Sequence, residues 1–487
     1  MKKKMITVAL AACAIVGVGA EETEYVYFTG EGGISVLDLP DMRENTGTAK
    51  NPGWESPITN ALSWSDKEVP HYGPFYVASP TNGIDVFVTP HQTQDHDYNE
   101  FRTLILRGAI KLLLCQKSNT SATFNDLRIE ADAVKNTPEI QLSNNKTHLD
   151  GFMTIENDAS VMFRNWNSME FFIESEIRGD GDIVFGTIGT GEQNRRVSRY
   201  YLCNMNTNFH GRIRVKKSGS VVSQYCSLSI TNEYNLGGKL DSFIYDALCL
   251  TRYSRLIYDG SDKLVLSKET NRGLSVGVNN GLIFVNKESA VFELNWPITL
   301  GLTTLKKYGE GMLILGSALR FTSLSEASSD NPDDSGEIPV TPGKHCFDVC
   351  VGPLSITHCD ALNGAKIAFS NNTEMVMSID LPEGDMKRYG MKCTKIAEPF
   401  ATDVPIKLVE SEKGNLTESK YAVALATVKA EYAEEAQEKI SVELVDVNNY
   451  KLLGVRTVAN EKASEEDEET VTFYADILHN GLVISVR

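Results

Sequence analysis

Past its first twenty residues the chain has no apolar run near the roughly 20 residues a membrane-spanning helix needs. No transmembrane segment is therefore expected in the mature chain. A basic surplus is also missing, with 47 Lys and Arg against 65 Asp and Glu for a formal net charge of −18. A surface of that sign offers no basic stripe to phosphates, which argues against nucleic acid and anionic lipid as partners. Helix-period stretches are nearly absent. Only Ala430–Lys439, with Ala430, Ala433 and Ala436 among Glu431, Glu434 and Glu435, reads as a helix, of at most about three turns. No phosphate loop, zinc-protease motif or nucleophile–base pairing is present. Nine cysteines scattered over 487 residues make no disulfide framework.

What is present begins with an export signal. Lys2, Lys3 and Lys4 precede the apolar stretch Met5–Gly17, and Val18-Gly19-Ala20 forms a small-residue cleavage site before Glu21. Leu10-Ala11-Ala12-Cys13 also matches a bacterial lipobox, so lipid anchoring through Cys13 is the alternative to simple cleavage. Either route places the chain outside the cytoplasm, at the cell surface or beyond. From residue 101 onward short runs rich in Val, Ile, Leu, Phe and Thr are broken by Gly, Asn, Asp and Ser. Phe101–Leu106, Ala122–Ala131, Phe152–Ile155, Ser160–Arg164, Asp182–Phe185, Arg212–Val215, Lys263–Ser267, Leu282–Val285 and Ala290–Leu294 are of strand length, and the fold class is all-β.

The stretch Leu305-Lys-Lys-Tyr-Gly-Glu-Gly-Met-Leu-Ile-Leu-Gly316 is the most specific signal. Gly309 and Gly311 permit a tight corner with positive φ, and Met312–Leu315 reads as a buried strand. Gly179-Asp-Gly-Asp182 and Asn206-Thr-Asn-Phe-His-Gly211 repeat the corner loosely. The layout resembles the passenger-associated repeat of autotransporter-type surface proteins, in which each repeat is one coil of a right-handed parallel β-helix. That resemblance implies an exported, non-enzymatic, structural or adhesin-like solenoid. It departs from the family in lacking a translocator barrel, since the residues after Gly343 include a charged run and a helix. Cys203, Cys226 and Cys249, spaced 23 residues apart, suggest an interior cysteine ladder at one residue per coil. The expected organisation is a signal at 1–20, an N-terminal β-rich module at 21–100, β-helix coils at 101–324, a flexible insertion at 325–343, further coils at 344–395 and a small C-terminal cap at 396–487. Within the cap, Thr470–Ile477 and Leu482–Val486 flank Asn480-Gly481 as a hairpin.

Residues that could carry chemistry fall into four groups. His91, Asp95, His96 and Asp97 share one polar segment, read as a solvated loop at a spacing that fits no metal motif. His345, Cys346 and Cys350 with His358 and Cys359 would suggest zinc inside a cell. On one strand, however, Cys346 and Cys350 lie about 13 Å apart, too far for one disulfide or one ion. Free thiols are expected there, with a disulfide to Cys359 or Cys393, or a metal, as alternatives. Asp180 and Asp182 with Arg195, Arg196 and Arg199 are what a β-helical polysaccharide lyase or hydrolase would need, though they read more simply as a turn and a surface loop. Trp54, Trp64, Tyr72, Phe75 and Tyr76 are core aromatics of the N-terminal module, or alternatively a sugar-stacking platform. No catalytic, cofactor or metal residue is assigned, and the expected partner is a surface or extracellular glycan or protein.

Overall fold

The computed structural model describes residues 95–480, less 99–100, 115–118, 133–135, 143–145, 167–169, 189–196, 217–224, 278–279, 302, 322–345, 364, 381–388, 391–394, 397–401, 411–415, 463 and 465–467. It also describes the backbone of five earlier strands, Tyr25–Tyr27, Ile34–Ser35, Trp54–Pro57, Phe75–Ala78 and Val86–Val88. The export signal, the 325–343 insertion, His91 and Arg195–Arg196 lie outside the described residues, as do Trp64, Tyr72 and the side chains of Trp54, Phe75 and Tyr76.

Alternation of apolar and polar residues at period two builds the coils. In Lys111–Leu114, Glu170–Ile173, Val291–Leu294 and Met312–Leu315 every second side chain is buried. All nine strand-length runs read from the sequence fall on strands to within two residues at either end. Met312–Leu315 is not buried on both faces, because Leu313 and Leu315 turn inward while Met312 and Ile314 stay half-exposed.

Among the described residues the strands form three sheets of 20, 12 and 7 strands. Every pairing is parallel except Ile34–Ser35 with Trp54–Pro57 and two pairings near residue 480. The fold is therefore an all-β parallel solenoid. One coil runs through Ser254–Tyr258 on the first side, Lys263–Leu266 on the second and Arg272–Val276 on the third. The next repeats the circuit through Gly281–Val285, Val291–Leu294 and Ile298–Leu300, paired in register on the strands before it. Inward Leu, Ile, Val and Phe from all three sides form one continuous core from Tyr98 to Ile477. Each fully buried large apolar side chain contributes about 1.5–3 kcal/mol of transfer free energy.

The coils differ in their second side. In the first described coils one long strand, such as Thr120–Glu130 or Lys146–Ile155, covers the first and second sides and bends between them. The bend is at Gly151, at φ +90°, where a Cβ would lie 1.9 Å from the Phe124 carbonyl oxygen. From Lys263 to Leu444 the second side has its own seven-stranded sheet. The intervening coils, 203–243, have no strand there.

Parallel pairing continues to Ile440–Leu444, and the short helix Ala433–Lys439 precedes that strand after a 3-10 turn at Ala430–Tyr432. Lys420–Lys429, Thr470–His479 and Tyr450–Ala459 then form an antiparallel end layer. The hairpin expected at Asn480-Gly481 does not fit this layer. Both edges of Thr470–His479 are already occupied, by Lys420–Lys429 and by Tyr450–Ala459, and residues 481–487 lie outside the described set.

The cysteine ladder is also overturned. Cys226 is buried in the first-side strand Tyr225–Ile230, Cys249 belongs to the third-side strand Ile244–Thr251, and Cys203 is exposed just past Val197–Leu202. Equal spacing stacks residues only when coils have equal length. Here the register steps from Val197 to Tyr225 in one coil and from Gly281 to Leu305 in another.

Candidate functional site

Asp180 and Asp182 are brought into an acid–base cluster with residues of the next two coils. Gly179, at φ +94°, turns the chain out of Glu176–Gly179, and Gly211 makes the matching corner one coil later. The two corners are locked together, since Gly179 N–H donates to Asn208 O (3.0 Å) and His210 N–H donates to Gly179 O (2.9 Å). Asp180 Oδ1 therefore meets His210 Nδ1 at 3.2 Å, with both side chains exposed. Two residues on, the Arg212 N–H donates to Asp182 Oδ1 at 3.0 Å, and Arg212 Nε lies 3.5 Å from Asp246 Oδ1 on the following coil. Burial raises the Asp182 carboxyl, the Arg212 N–H and the Arg214 and Arg212 charges oppose that rise, and Asp246 adds to it. Burial likewise pushes the neighbouring Cys249 thiol up to about 11 and raises the Tyr245 hydroxyl.

Asp182 is thus a poor carboxylate beside arginines, the kind of group from which general acids are made. Its oxygen is held by a backbone N–H of the next coil, however, and Asp246 is held by Arg212. The cluster works first as a clamp between coils. Arg199 takes no part in it, lying on the first side and pairing with Glu170 at 3.5 Å. Sequence reading missed His210, Arg212 and Asp246, because only the coil register places them over Asp180 and Asp182.

The outer face of the first sheet carries a row of rings that sequence reading also missed. His148 stacks on Phe172 (4.7 Å between centroids) and Phe172 on Tyr201 (4.3 Å, 2° between planes), one ring per coil in register. Phe284 and Tyr308 repeat the stack at 5.0 Å farther along, and the Arg255 guanidinium lies 3.7 Å from the Tyr225 centroid. A sugar platform needs a free ring face. Phe172 has a ring on each face, so the row fastens neighbouring coils to one another. The available signal was an aromatic at the outward position of successive strands.

The Leu305–Gly316 corner conceals a buried cation. Lys306 points outward and pairs with Asp348 at 2.8 Å. Lys307 points inward between Ile283 and Val349, is 0% exposed, and donates to the Gly309 carbonyl (2.5 Å) and the Val351 carbonyl (2.6 Å). Burial lowers its ammonium to about 8. Gly309, at φ +85°, leaves no room for a side chain, since a Cβ would sit 2.1 Å from the Val285 carbonyl oxygen. Gly311 is needed for close approach to the Lys287 carbonyl.

The remaining candidates separate. His96 and Asp97 are not in a loop but in the strand His96–Tyr98, which pairs with Ala122–Phe124, while Asp95 accepts from Ser121 N–H at 2.8 Å. A strand forms there because Tyr98 is drawn wholly inside, stacking on Phe124 at 4.8 Å. His345 and the Cys346 side chain lie outside the described residues. Cys350 follows the strand Cys346–Val349, whereas His358 and Cys359 sit on a turn past Gly352–Ile356. Among the described residues Cys203, Cys226, Cys249, Cys350 and Cys359 are free thiols, and no helix is long and apolar enough to cross a membrane.

No family model, curated protein or solved structure matches this chain.

Proposed function

We propose that this chain is an exported, non-catalytic solenoid with a structural or adhesin-like role at the cell surface or outside the cell, meeting a glycan or protein there. The observation that carries this reading is that outward-facing chemistry is engaged between neighbouring coils. The rings stack on rings, Asp182 is held from the next coil and Asp246 from the one before, and Lys306 reaches Asp348 on the strand beside it. Such a lattice suits a rigid scaffold that displays its loops. The N-terminal charged and apolar segment Lys2–Ala20 supports export, and the Leu305–Gly316 corner supports the likeness to passenger repeats.

A second reading, a β-helical polysaccharide lyase or hydrolase, draws on the raised Asp182 beside Arg212, Arg214 and Asp246. The two are separated by incubating the chain with acidic polysaccharides and following new reducing ends and unsaturated products. No turnover is expected, together with retention on an immobilised glycan or host-matrix protein. Turnover that disappears in Asp182→Asn would overturn the non-catalytic reading.

A further inference from the structure

The turn that follows Gly352–Ile356 takes over where the third-side sheet stops. Leu319–Phe321 is the last strand of that sheet among the described residues. The next coil covers it with a turn whose Asp360 carbonyl accepts from Leu319 N–H at 2.9 Å, and the Asn363 amide donates to the Leu319 carbonyl at 3.2 Å. Ala361 N–H closes the turn on the His358 carbonyl at 3.0 Å, and Ala361 and Leu362 are buried beneath it. The backbone is thereby fixed from both sides, while His358, Cys359 and Asp360 stay half-buried above it.

We propose that His358, Cys359 and Asp360 bind a zinc-class divalent ion. Their imidazole nitrogen, thiol sulfur and carboxylate oxygen all lie within 4.8 Å of one another. Tetrahedral zinc bonds of about 2.0–2.3 Å place ligand atoms about 3.5 Å apart, so side-chain rotations of about 1 Å gather the set. The backbone N–H of Asp360 donates to His358 Nδ1 at 3.1 Å, so that nitrogen carries its lone pair toward the turn. Binding exchanges this hydrogen bond for a metal bond. The ion displaces the thiol proton of Cys359 to water, forming one sulfur–metal bond, and a water completes the fourth position. Thiolate and imidazole favour zinc or cobalt over calcium, which needs six to eight oxygen ligands. The net charge of −18 raises the local concentration of any cation. An ion held here would pin the turn that replaces the lost strand. The proposal stands independently of the adhesin reading.

The test is a titration of the full chain with cobalt(II), then zinc, under reducing conditions. One ion per chain with a thiolate-to-cobalt charge-transfer band is expected. Cys359→Ser should remove the band, and both Cys359→Ser and His358→Ala should weaken zinc binding at least tenfold, while Cys350→Ser changes neither. The wild-type chain provides a readout that does not depend on a variant folding. Zinc should slow alkylation of Cys359 at least tenfold and leave the exposed Cys203 at its original rate. Alkylation of Cys359 at an unchanged rate, saturation without the thiolate band, or wild-type affinity in Cys359→Ser would each overturn the site.

Discussion

Two stretches of the solenoid solve one problem differently. In the coils 254–321 all three sides are β-ladders, and backbone pairing on every side connects each coil to the next, with side-chain contacts such as the Phe284–Tyr308 stack added to it. In the coils 203–243 the second side has no strand; single backbone bonds such as Asn206 N–H to Tyr234 O remain, and side chains add the rest of the connection. Asn206 Oδ1 accepts from Ile177 N–H of the coil before, and its amide donates to the Asn235 carbonyl of the coil after. Asn235 ties its own turn to the coil before, accepting from Thr231 and Asn232 N–H and donating back to the Asn204 carbonyl. Arg272 closes the series, 1% exposed, donating to the carbonyls of Gly238 (2.8 Å), Gly211 (3.2 Å) and Phe209 (2.9 Å). Burial lowers its guanidinium to about 10, with Glu233 opposing the shift. A missing ladder leaves backbone groups that must find other partners, and buried amides and a guanidinium supply them.

The largest effect is expected where side chains replace the ladder. Arg272→Met leaves interior carbonyls short of donors and should cost about 3–5 kcal/mol in urea unfolding. Asn235→Ala, which removes one acceptor and one donor, should cost about 2–4 kcal/mol. A loss below 1 kcal/mol in both would mean that the strandless side carries little of the stability.

The laddered stretch gives the contrasting case, since its buried cation is an addition rather than the connector. Lys307→Met keeps the stem between Ile283 and Val349 and removes a desolvated charge, so a change within about 1 kcal/mol is expected. The pH dependence carries its own signature. With the folded ammonium lowered to about 8 and the unfolded one near 10.5, the unfolded chain binds more protons between those values. Stability should therefore rise from pH 8 to pH 10.5 by up to about 3 kcal/mol from this group. Thiols and phenols raised by burial act in the opposite sense, so the quantity to compare is wild type minus Lys307→Met at each pH. A flat difference would show that Lys307 is not neutralised in the fold.

Both stretches use glycine corners. Gly309→Ala meets a positive φ and the Val285 carbonyl together and should cost about 2–3 kcal/mol. Smallest is the ring row: Phe172→Leu, which loses the stack on Tyr201 and His148 but little apolar cover, should cost about 0.5–1.5 kcal/mol. Tighter retention on a glycan column after that substitution, with its neighbours' ring faces uncovered, would reveal a masked platform.

How far these features could be read from residues alone depends on their range. The strand runs and the Gly309 corner are local, because period-two alternation and the need for positive φ are properties of a few adjacent residues. The inward direction of Lys307 was locally encoded too, since it alternates with Leu305, but a lysine at a core position is read as polar surface until its carbonyl partners are known. The acid cluster at Asp180 and Asp182 was half visible: the carboxylates stand in one motif, whereas His210, Arg212 and Asp246 arrive from two later coils. The cysteine ladder failed for the same reason, because unequal loops shift one coil against the next.

By itself, then, the sequence determined that the fold would be mostly β, that alternate residues of its strands would face inward, and that a glycine corner would fall at Gly309. Those outcomes depend on alternation and backbone sterics within a single strand or turn. Tertiary structure alone decided which coils have three ladders, which are joined by Asn206, Asn235 and Arg272, and which charges meet. Those contacts span a full circuit of the solenoid, and their register is set by the summed length of every loop in that circuit.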